Sequence, residues 1–377
     1  MVSGVSSDCQ RRNKIQLPAD QFRQALHEAA DWVADYLERA GEFPVLPAVK
    51  PGALIDALPP EAPEQGEDIE AIFGDFRKLI LPAVTHWNHP RFMAYFATSA
   101  SGAGILGELL TAAINSNGML WKSSPAATEL EQATLGWIRR WLSLPEEFFG
   151  IIYDTASTST MHAIAAAREK ADPGVRLDGG SRDLVLYTSA QSHSSVEKGA
   201  IAIGIGQRNV RSIEVDGAFR MRTESLEAAI AQDRARGLRP FCVVATVGTT
   251  ATASVDPVRP IAAIARREGL WLHIDAAYAG SAVAVCPELA PMLDGAAAAD
   301  SIVLNPHKWM FTPVDLSAFY TRHPEILRRA YQLVPDYLRT AEDPRALNYM
   351  DYGVPLGRRF RALKLWFTLR SFGREGI

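Results

Sequence analysis

Short apolar segments of β-strand character alternate with helical stretches through the middle and second half of the chain. Residues 184–187 and 241–246 form two such segments, and helical sequence resumes at Ser195 and Pro257. Strands that alternate with helices usually pair in parallel, because a helical crossover returns the chain to the same end of the sheet. We therefore predict an α/β fold, with a mostly parallel sheet sandwiched by helices.

Three reactive side chains follow predicted strands. His193 comes after the segment 184–187, Asp275 ends an apolar segment that begins at Leu270, and Lys308 lies just past the segment 301–305. The carboxyl ends of parallel strands meet at one edge of a sheet, where ligands bind. A lysine that can form a Schiff base, an aspartate for a protonated pyridine nitrogen and an imidazole for a ring face are the groups that pyridoxal 5'-phosphate (PLP) needs. The pattern predicts a PLP site.

Lys308 is the residue on which this prediction depends. An isolated lysine at a strand end is more often a surface residue that extends its amine into water. Here the three residues that follow it are apolar, and desolvation lowers the pKa of a lysine, so that its neutral amine can attack a carbonyl. Because Asp275 and His193 accompany Lys308, we favour the Schiff-base role.

A turn rich in hydroxyl side chains, residues 154–160, opens the predicted helix 161–170. Backbone N–H groups and the helix dipole make such a turn suitable for a phosphate group. Taken alone, the turn is better explained by an ordinary Ser or Thr N-cap. Asp154 places a negative charge nearby, and we expect its side chain to point away from a bound phosphate.

Five blocks of the sequence carry a resemblance to a known family. In their order along the chain they resemble the group II PLP-dependent amino-acid decarboxylases, and most closely the aromatic-L-amino-acid decarboxylases. The resemblance runs from about Phe22 to the end of the chain. The blocks are 87–96 (WNHPRFMAYF), 124–131 (SPAATELE), 275–280 (DAAYAG), 305–308 (NPHK) and 355–361 (PLGRRFR).

The resemblance implies a fold-type I PLP enzyme and gives a role to individual residues. Lys308 would hold PLP, Asp275 would pair with the pyridinium nitrogen, and His193 would stack on the ring. Thr246 would support the site. The implied phosphate and remaining cofactor contacts are Thr155, Ala156, Ser157, Ala277, Asn305 and His307.

The resemblance also implies a substrate cavity lined by Trp87, Tyr95, Phe96 and Thr98, with Thr98 near the substrate carboxylate. Without the resemblance, these aromatic side chains fit an ordinary core equally well. The family usually has proline where this chain has Ala97, so this wall of the cavity is expected to differ in shape. An apolar aromatic cavity favours aromatic substrates over glutamate, whose side-chain carboxylate would lose its hydration without a partner.

Two further residues bear on the substrate and the product. In plant members, a glycine matching Gly357 accompanies indole substrates and a serine accompanies phenolic ones; the alternative is that Gly357 serves backbone packing beside Arg358. Tyr337 matches the tyrosine that the family uses as proton donor, on a polar segment, 337–351, predicted to act as a lid. Phenylalanine at this position marks aldehyde-forming relatives, so Tyr337 favours amine formation.

The resemblance and the sequence pattern together suggest three regions. Residues 1–100 are predicted to form a helical and extended arm that packs on the other subunit of a homodimer, since an amphipathic helix at 22–37 is followed by a proline-rich stretch. Residues 101–363 would form the large PLP-binding α/β domain, with its active site near the subunit interface. Residues 364–377 would begin a C-terminal domain that is truncated here, which raises the question of whether this form is active.

Composition limits the other possibilities. With a formal net charge of −4, the chain has no excess of basic residues, so neither nucleic acid nor an anionic membrane surface is an expected partner. The three cysteines, Cys9, Cys242 and Cys286, are widely spaced without a CxxC pair, which argues against a disulfide framework and a zinc site. We predict a cytoplasmic protein with no metal.

The predicted reaction is therefore decarboxylation of an L-amino acid, of the tryptophan, tyrosine, dopa or phenylalanine type, to the primary amine and CO2. One alternative is an aldehyde-forming decarboxylase and oxidase, or an aminotransferase, of the same fold. Another is a catalytically silent PLP-binding scaffold, which the intact set of Lys308, Asp275, His193 and Tyr337 argues against. Product analysis separates amine from aldehyde or keto acid.

Overall fold

The computed structural model describes residues 17–180, 182–333 and 346–377. The chain divides into two compact units, residues 1–97 and 98–377. The first unit contains helices α1 (Ala19–Arg39), α2 (Ala53–Ala57) and α3 (Ile69–Asp75), followed by a π-helical turn, Phe76–Ile80.

The second unit contains a seven-stranded sheet and the remaining helices. Its strands are β1 (Phe149–Tyr153), β2 (Leu184–Ser189), β3 (Val210–Ile213), β4 (Arg239–Thr246), β5 (Trp271–Asp275), β6 (Ser301–Leu304) and β7 (Ser317–Thr321). Its helices are α4 (Gly102–Ile114), α5 (Pro125–Trp141), α6 (Ala156–Ala171), α7 (Val175–Asp178), α8 (Ser195–Ala202), α9 (Thr223–Ala235), α10 (Val258–Glu268), α11 (Ala279–Val285), α12 (Pro306–Trp309), α13 (Pro324–Tyr331) and α14 (Ala362–Gly376).

The sheet confirms the predicted α/β class. Its strand order is β1-β7-β6-β5-β4-β2-β3, and the pairs from β6 through β3 are parallel. β7 runs antiparallel to both β1 and β6. The carboxyl ends of β2, β4, β5 and β6 therefore lie at one edge of the sheet, as the sequence pattern requires.

Both faces of the sheet are covered. In β6, Ile302 and Leu304 belong to one buried apolar cluster, whereas Val303 between them belongs to a second. Successive side chains of a strand point to opposite faces, so the two clusters lie on opposite sides of the sheet. Such double burial explains why these strands read as continuous apolar runs.

Helices α2 and α3 of the first unit are short. Helix α3 ends at Asp75 and is followed by the π-helical turn that begins at Phe76, shortly before Pro82, which cannot supply a backbone N–H to a continuing helix. The proline-rich stretch contains the short helix α2. Residues 364–377 lie mainly within α14, and their assignment to the start of a C-terminal domain stays a prediction.

Within the described parts of the chain, no helix combines the length and the apolar character needed to cross a membrane.

Candidate active site

The ends of β5 and β6 bring Asp275 and Lys308 to the same edge of the sheet. Asp275 is the last residue of β5 and pairs in register with Val303 of β6. Beyond β6, the Asn305 N–H donates to the Ala277 carbonyl at 3.1 Å. Helix α12 then starts at Pro306, where a missing N–H is tolerated. Lys308 thus lies on a one-turn helix directly after the strand.

The surroundings of Lys308 affect the reactivity of its amine. Asp275 is 4% exposed, and its Oδ1 accepts a hydrogen bond from the Ala277 N–H at 3.1 Å. Desolvation lowers the pKa of Lys308, while the negative charge of Asp275 opposes that change. A lowered pKa raises the fraction of neutral amine, which is the form that reacts with an aldehyde. This environment suits a lysine that holds PLP covalently.

His193 lies between β2 and α8 with its ring orientation fixed. The Ser195 N–H donates to His193 Nδ1 at 3.2 Å, and Ser195 Oγ lies 2.9 Å from the same nitrogen. Because Nδ1 accepts from the backbone, the proton of the neutral ring is on Nε2. The imidazole is therefore held by its own loop.

Hydroxyl groups connect the ends of β2 and β4. Thr246 Oγ1 lies 3.2 Å from Ser192 Oγ, which in turn accepts from Thr188 Oγ1 at 2.5 Å. The buried Asp256 accepts the Thr246 N–H at 2.8 Å and the Met221 N–H at 2.7 Å. Sequence analysis did not identify Ser192 and Asp256 as supports for Thr246, because neither belongs to a recognisable motif.

The hydroxyl-rich turn forms the N-terminus of α6. Thr155 is the N-cap, and its side chain accepts the Thr158 N–H at 3.5 Å. Asp154 Oδ1 accepts the Thr155 N–H at 2.7 Å. An N-cap at Thr155 is compatible with a phosphate site at the same turn. The Asp154 carboxylate, however, accepts the Thr155 N–H, so its negative charge would lie at the same helix end as a bound phosphate.

Asn305 and His307 lie on the segment that carries Lys308. Asn305 Oδ1 is buried and has no hydrogen-bond partner among the described residues. An unsatisfied buried amide is costly unless a ligand completes it, and an amide can rotate to present its nitrogen to an anion. His307 Nδ1 accepts the Leu316 N–H at 3.0 Å, and burial together with the Lys308 charge lowers the pKa of His307 to about 4. These residues fit PLP.

The aromatic residues predicted for the substrate wall belong to the first unit, and Thr98 is the first residue of the second unit. Trp87 is 38% exposed and stacks on Tyr95, which is 82% exposed, with ring centroids 5.8 Å apart. Such exposure does not fit a core role for these two rings, while Phe96 is partly buried. The assignment of Trp87, Tyr95, Phe96 and Thr98 to the substrate remains a prediction.

Packing among the described residues does not require a glycine at position 357. A Cβ atom built at this position would have Asn117 Nδ2 as its nearest neighbour, at an ordinary contact distance of 3.6 Å. The alternative role in close backbone packing therefore lacks support. Tyr337 lies outside the described residues, as does most of the predicted lid segment.

Comparison with known proteins identifies related chains. The model of the pyridoxal-dependent decarboxylase conserved domain matches residues 51–377. The aromatic-L-amino-acid decarboxylase of Bos taurus is 43% identical over 376 residues, which cover 95% of this chain and 76% of the relative. The phenylacetaldehyde synthase of Arabidopsis thaliana is 40% identical, with 97% of this chain and 76% of the relative covered. The crystal structure of Oryza sativa TDC with PLP and tryptamine superposes with a TM-score of 0.92 at 37% identity, covering 96% of this chain and 76% of the other.

Proposed function

The chain belongs to the pyridoxal-dependent decarboxylase family, and from this membership we propose that it removes the α-carboxylate of aromatic L-amino acids as CO2 and releases the primary amine. The observation that carries the proposal is the placement of the buried Asp275 and the half-buried Lys308 just at, and just beyond, the carboxyl ends of adjacent parallel strands. The chain is a PLP-dependent lyase.

PLP, when bound, accepts the electrons left at Cα as the carboxylate departs. Lys308 would hold the cofactor through its amine, whose pKa is lowered by burial. Asp275 would keep a proton on the ring nitrogen, because a nearby carboxylate favours the protonated form of that nitrogen. His193, fixed by Ser195, would lie against the ring and restrict its tilt.

The phosphate would bind at the N-terminus of α6, at Thr155, Ala156 and Ser157, and Asn305 and His307 would supply further contacts to it. The buried Asn305 amide supports this assignment, because a ligand group would satisfy it. Thr246, whose N–H is held by Asp256, would support the site from β4, and Ala277 would contact the cofactor beside Asp275.

Tyr337 is the proposed proton donor to the substrate carbon after CO2 has left. The family membership does not by itself decide between amine and aldehyde, since relatives named for each outcome match at similar identity. The tyrosine at this position favours the amine.

The test is a panel of L-tryptophan, L-tyrosine, L-dopa, L-phenylalanine and L-glutamate, with CO2, amine, aldehyde and keto acid measured for each. The proposal predicts equal yields of CO2 and amine, with kcat/KM for tryptophan at least equal to that for tyrosine or dopa. A preference for glutamate would exclude the aromatic cavity. Aldehyde with ammonia would instead identify an oxidative decarboxylase, and a keto acid would identify an aminotransferase.

Gly357→Ser gives a sharp specificity test, because the site has room for the added Cβ. We expect it to shift kcat/KM from tryptophan toward tyrosine and dopa without loss of thermal stability. An unchanged ratio would remove Gly357 from substrate recognition and leave the rest of the proposal intact.

A homodimer is the proposed assembly, with the active site near the interface. On α4, Leu106, Leu109, Leu110 and Ile114 form one exposed apolar stripe, and Phe22 of α1 is also exposed. Exposed apolar stripes of this kind are typical of subunit interfaces. Sedimentation of the wild-type protein and of Leu109→Glu would test this: a dimer that the substitution dissociates supports it, and a wild-type monomer contradicts it.

A cytoplasmic location is proposed from the cysteines. Of the two cysteines in the described residues, Cys242 is buried and Cys286 is partly buried, and both are free thiols, a state that fits a reducing compartment. Fractionation of cells that produce the protein would test the location.

A further inference from the structure

Strand β1 is an edge strand whose outward backbone groups are bound by side chains instead of by a further strand. Glu131 Oε1 on α5 accepts the Ile152 N–H at 2.8 Å, and Arg358 Nη2 donates to the Ile152 carbonyl at 2.8 Å. The Tyr349 hydroxyl donates to the Gly150 carbonyl at 3.3 Å. An edge strand needs such partners when its backbone is buried.

Glu131 and Arg358 also form an ion pair. Arg358 Nη2 lies 2.7 Å from Glu131 Oε1, and the two side chains are 10% and 6% exposed. The Arg358 guanidinium lies 4.5 Å from the centre of the Tyr349 ring. Burial disfavours the charged guanidinium, but Glu131, together with Tyr349 and Tyr153, outweighs burial and raises the pKa of Arg358. The guanidinium therefore stays charged, and its contacts with Glu131 and the Ile152 carbonyl fix its position.

The backbone of Arg358 is fixed as well. Its N–H donates to Asn117 Oδ1 at 2.9 Å, and its carbonyl accepts the Gly118 N–H at 2.9 Å. Gly357 precedes this residue directly, so its position follows from that of Arg358. Ile152, at the other end of the contact, lies three residues before Thr155, a path of about 10 Å in extended chain.

One buried ion pair thus links the strand that leads into the α6 N-terminus with the backbone that carries Gly357. A buried ion pair is weak evidence for stability, because desolvation offsets the attraction between the charges. The pair does impose a defined geometry, since a single guanidinium nitrogen, Nη2, binds both Glu131 Oε1 and the Ile152 carbonyl while the planar group lies over the Tyr349 ring.

We propose that Glu131 and Arg358 are positioning residues that set the location of Gly357, and with it the substrate side chain, relative to the phosphate-binding end of α6. This inference rests on the proposed function. Glu131 and Arg358 would thus influence which substrate side chain is preferred without touching substrate or cofactor. Weakening their ion pair should change the affinity for PLP and the substrate preference together.

Glu131→Gln is the principal variant, because the amide oxygen can still accept the Ile152 N–H while the charge is lost. Arg358→Lys is the second variant: it keeps a positive charge but loses the planar guanidinium, whose Nη2 binds both Glu131 and the Ile152 carbonyl and which lies over the Tyr349 ring. Asp233→Asn is the matched control. Asp233 is a buried helix carboxylate that pairs with Arg211 at 2.8 Å and accepts the Tyr187 hydroxyl at 3.0 Å, near the opposite edge of the sheet.

Three quantities are measured for each protein: the melting temperature, the equilibrium Kd for PLP added to apoprotein, and the ratio of kcat/KM for L-tryptophan to that for L-phenylalanine. We expect both test variants to raise the Kd for PLP by about tenfold and to lower the ratio by about fivefold, since the larger indole is more sensitive to displacement of Gly357. Asp233→Asn should lower the melting temperature with neither of the other changes.

A result in which Glu131→Gln and Arg358→Lys lower the melting temperature as the control does, but keep the wild-type Kd and ratio, would overturn the positioning role. Failure of the wild-type protein to form amine from either substrate would instead contradict the proposed function, and the PLP titration would still decide whether the pair acts on the cofactor site.

Discussion

Replacement of Asp275 by asparagine tests the electronic role of the buried carboxylate. The side chain is 4% exposed, and its Oδ1 accepts the Ala277 N–H. The asparagine oxygen can keep that hydrogen bond, so we expect Asp275→Asn to fold. What disappears is the negative charge that would keep a proton on the ring nitrogen of PLP.

The size of the effect follows from the charge. A carboxylate close to a titrating group shifts its pKa by about 1 to 3 units, and each unit corresponds to about 1.4 kcal/mol. If the whole of this stabilisation is needed when CO2 leaves, the barrier rises by about 1.4 to 4 kcal/mol, and kcat falls roughly 10- to 1000-fold.

The assay compares kcat, PLP content and the pH dependence of PLP attachment in Asp275→Asn and in the control Asp233→Asn. Asp275 raises the pKa of Lys308, against the larger lowering by burial. Removal of this charge lowers the Lys308 pKa further, so the acid limit of PLP attachment should move to lower pH. Near-normal kcat with full PLP content would refute the reasoning and leave Asp275 a structural residue.

Three further predictions address other residues. Tyr337→Phe should still release CO2 but yield aldehyde, ammonia and peroxide in place of amine, as oxygen uptake would reveal; an unchanged amine yield would remove Tyr337 from the mechanism. Asp154→Asn keeps an acceptor for the Thr155 N–H but removes a charge that repels phosphate, so the Kd for PLP should fall about fivefold, or about 1 kcal/mol, and a Kd that rises or stays the same would contradict this. Burial lowers the pKa of His162 to about 4, below its value in the unfolded chain. The unfolded state therefore binds more protons between pH 6.5 and 4, and the free energy of unfolding decreases as the pH is lowered through that window. His162→Gln should therefore make the free energy of unfolding less dependent on pH by roughly 3 kcal/mol over this window, and an unchanged pH dependence in denaturant titrations would contradict the assignment.

The parallel core of the sheet could be predicted because its strands are buried on both faces and end in reactive residues. Asp275 and Lys308 were placed correctly at the strand ends for that reason. β3 and β7 were not predicted: β3 carries Arg211 and Ser212 at the edge of the sheet, and β7 is a short strand that runs antiparallel to its neighbours. Neither has the sequence pattern of a strand in a helix-separated parallel series.

The supports of the site could not be predicted, because they depend on contacts between distant segments. Glu131 and Arg358 lie in two blocks that sequence analysis recognised, but their pairing across 227 residues follows from the fold. Asp256 reaches Thr246 through a loop whose conformation no local pattern predicts. Sequence therefore indicates the reacting groups, and the structure is needed to identify the residues that hold them.

The most direct test of the account is to locate the covalent attachment of PLP. Borohydride reduction of the PLP-loaded protein, followed by proteolysis and mass spectrometry, should place the phosphopyridoxyl group on Lys308, and Lys308→Ala should lose the visible absorption, the label and turnover. A label on another lysine, or a reducible PLP adduct that persists in Lys308→Ala, would contradict the central assignment.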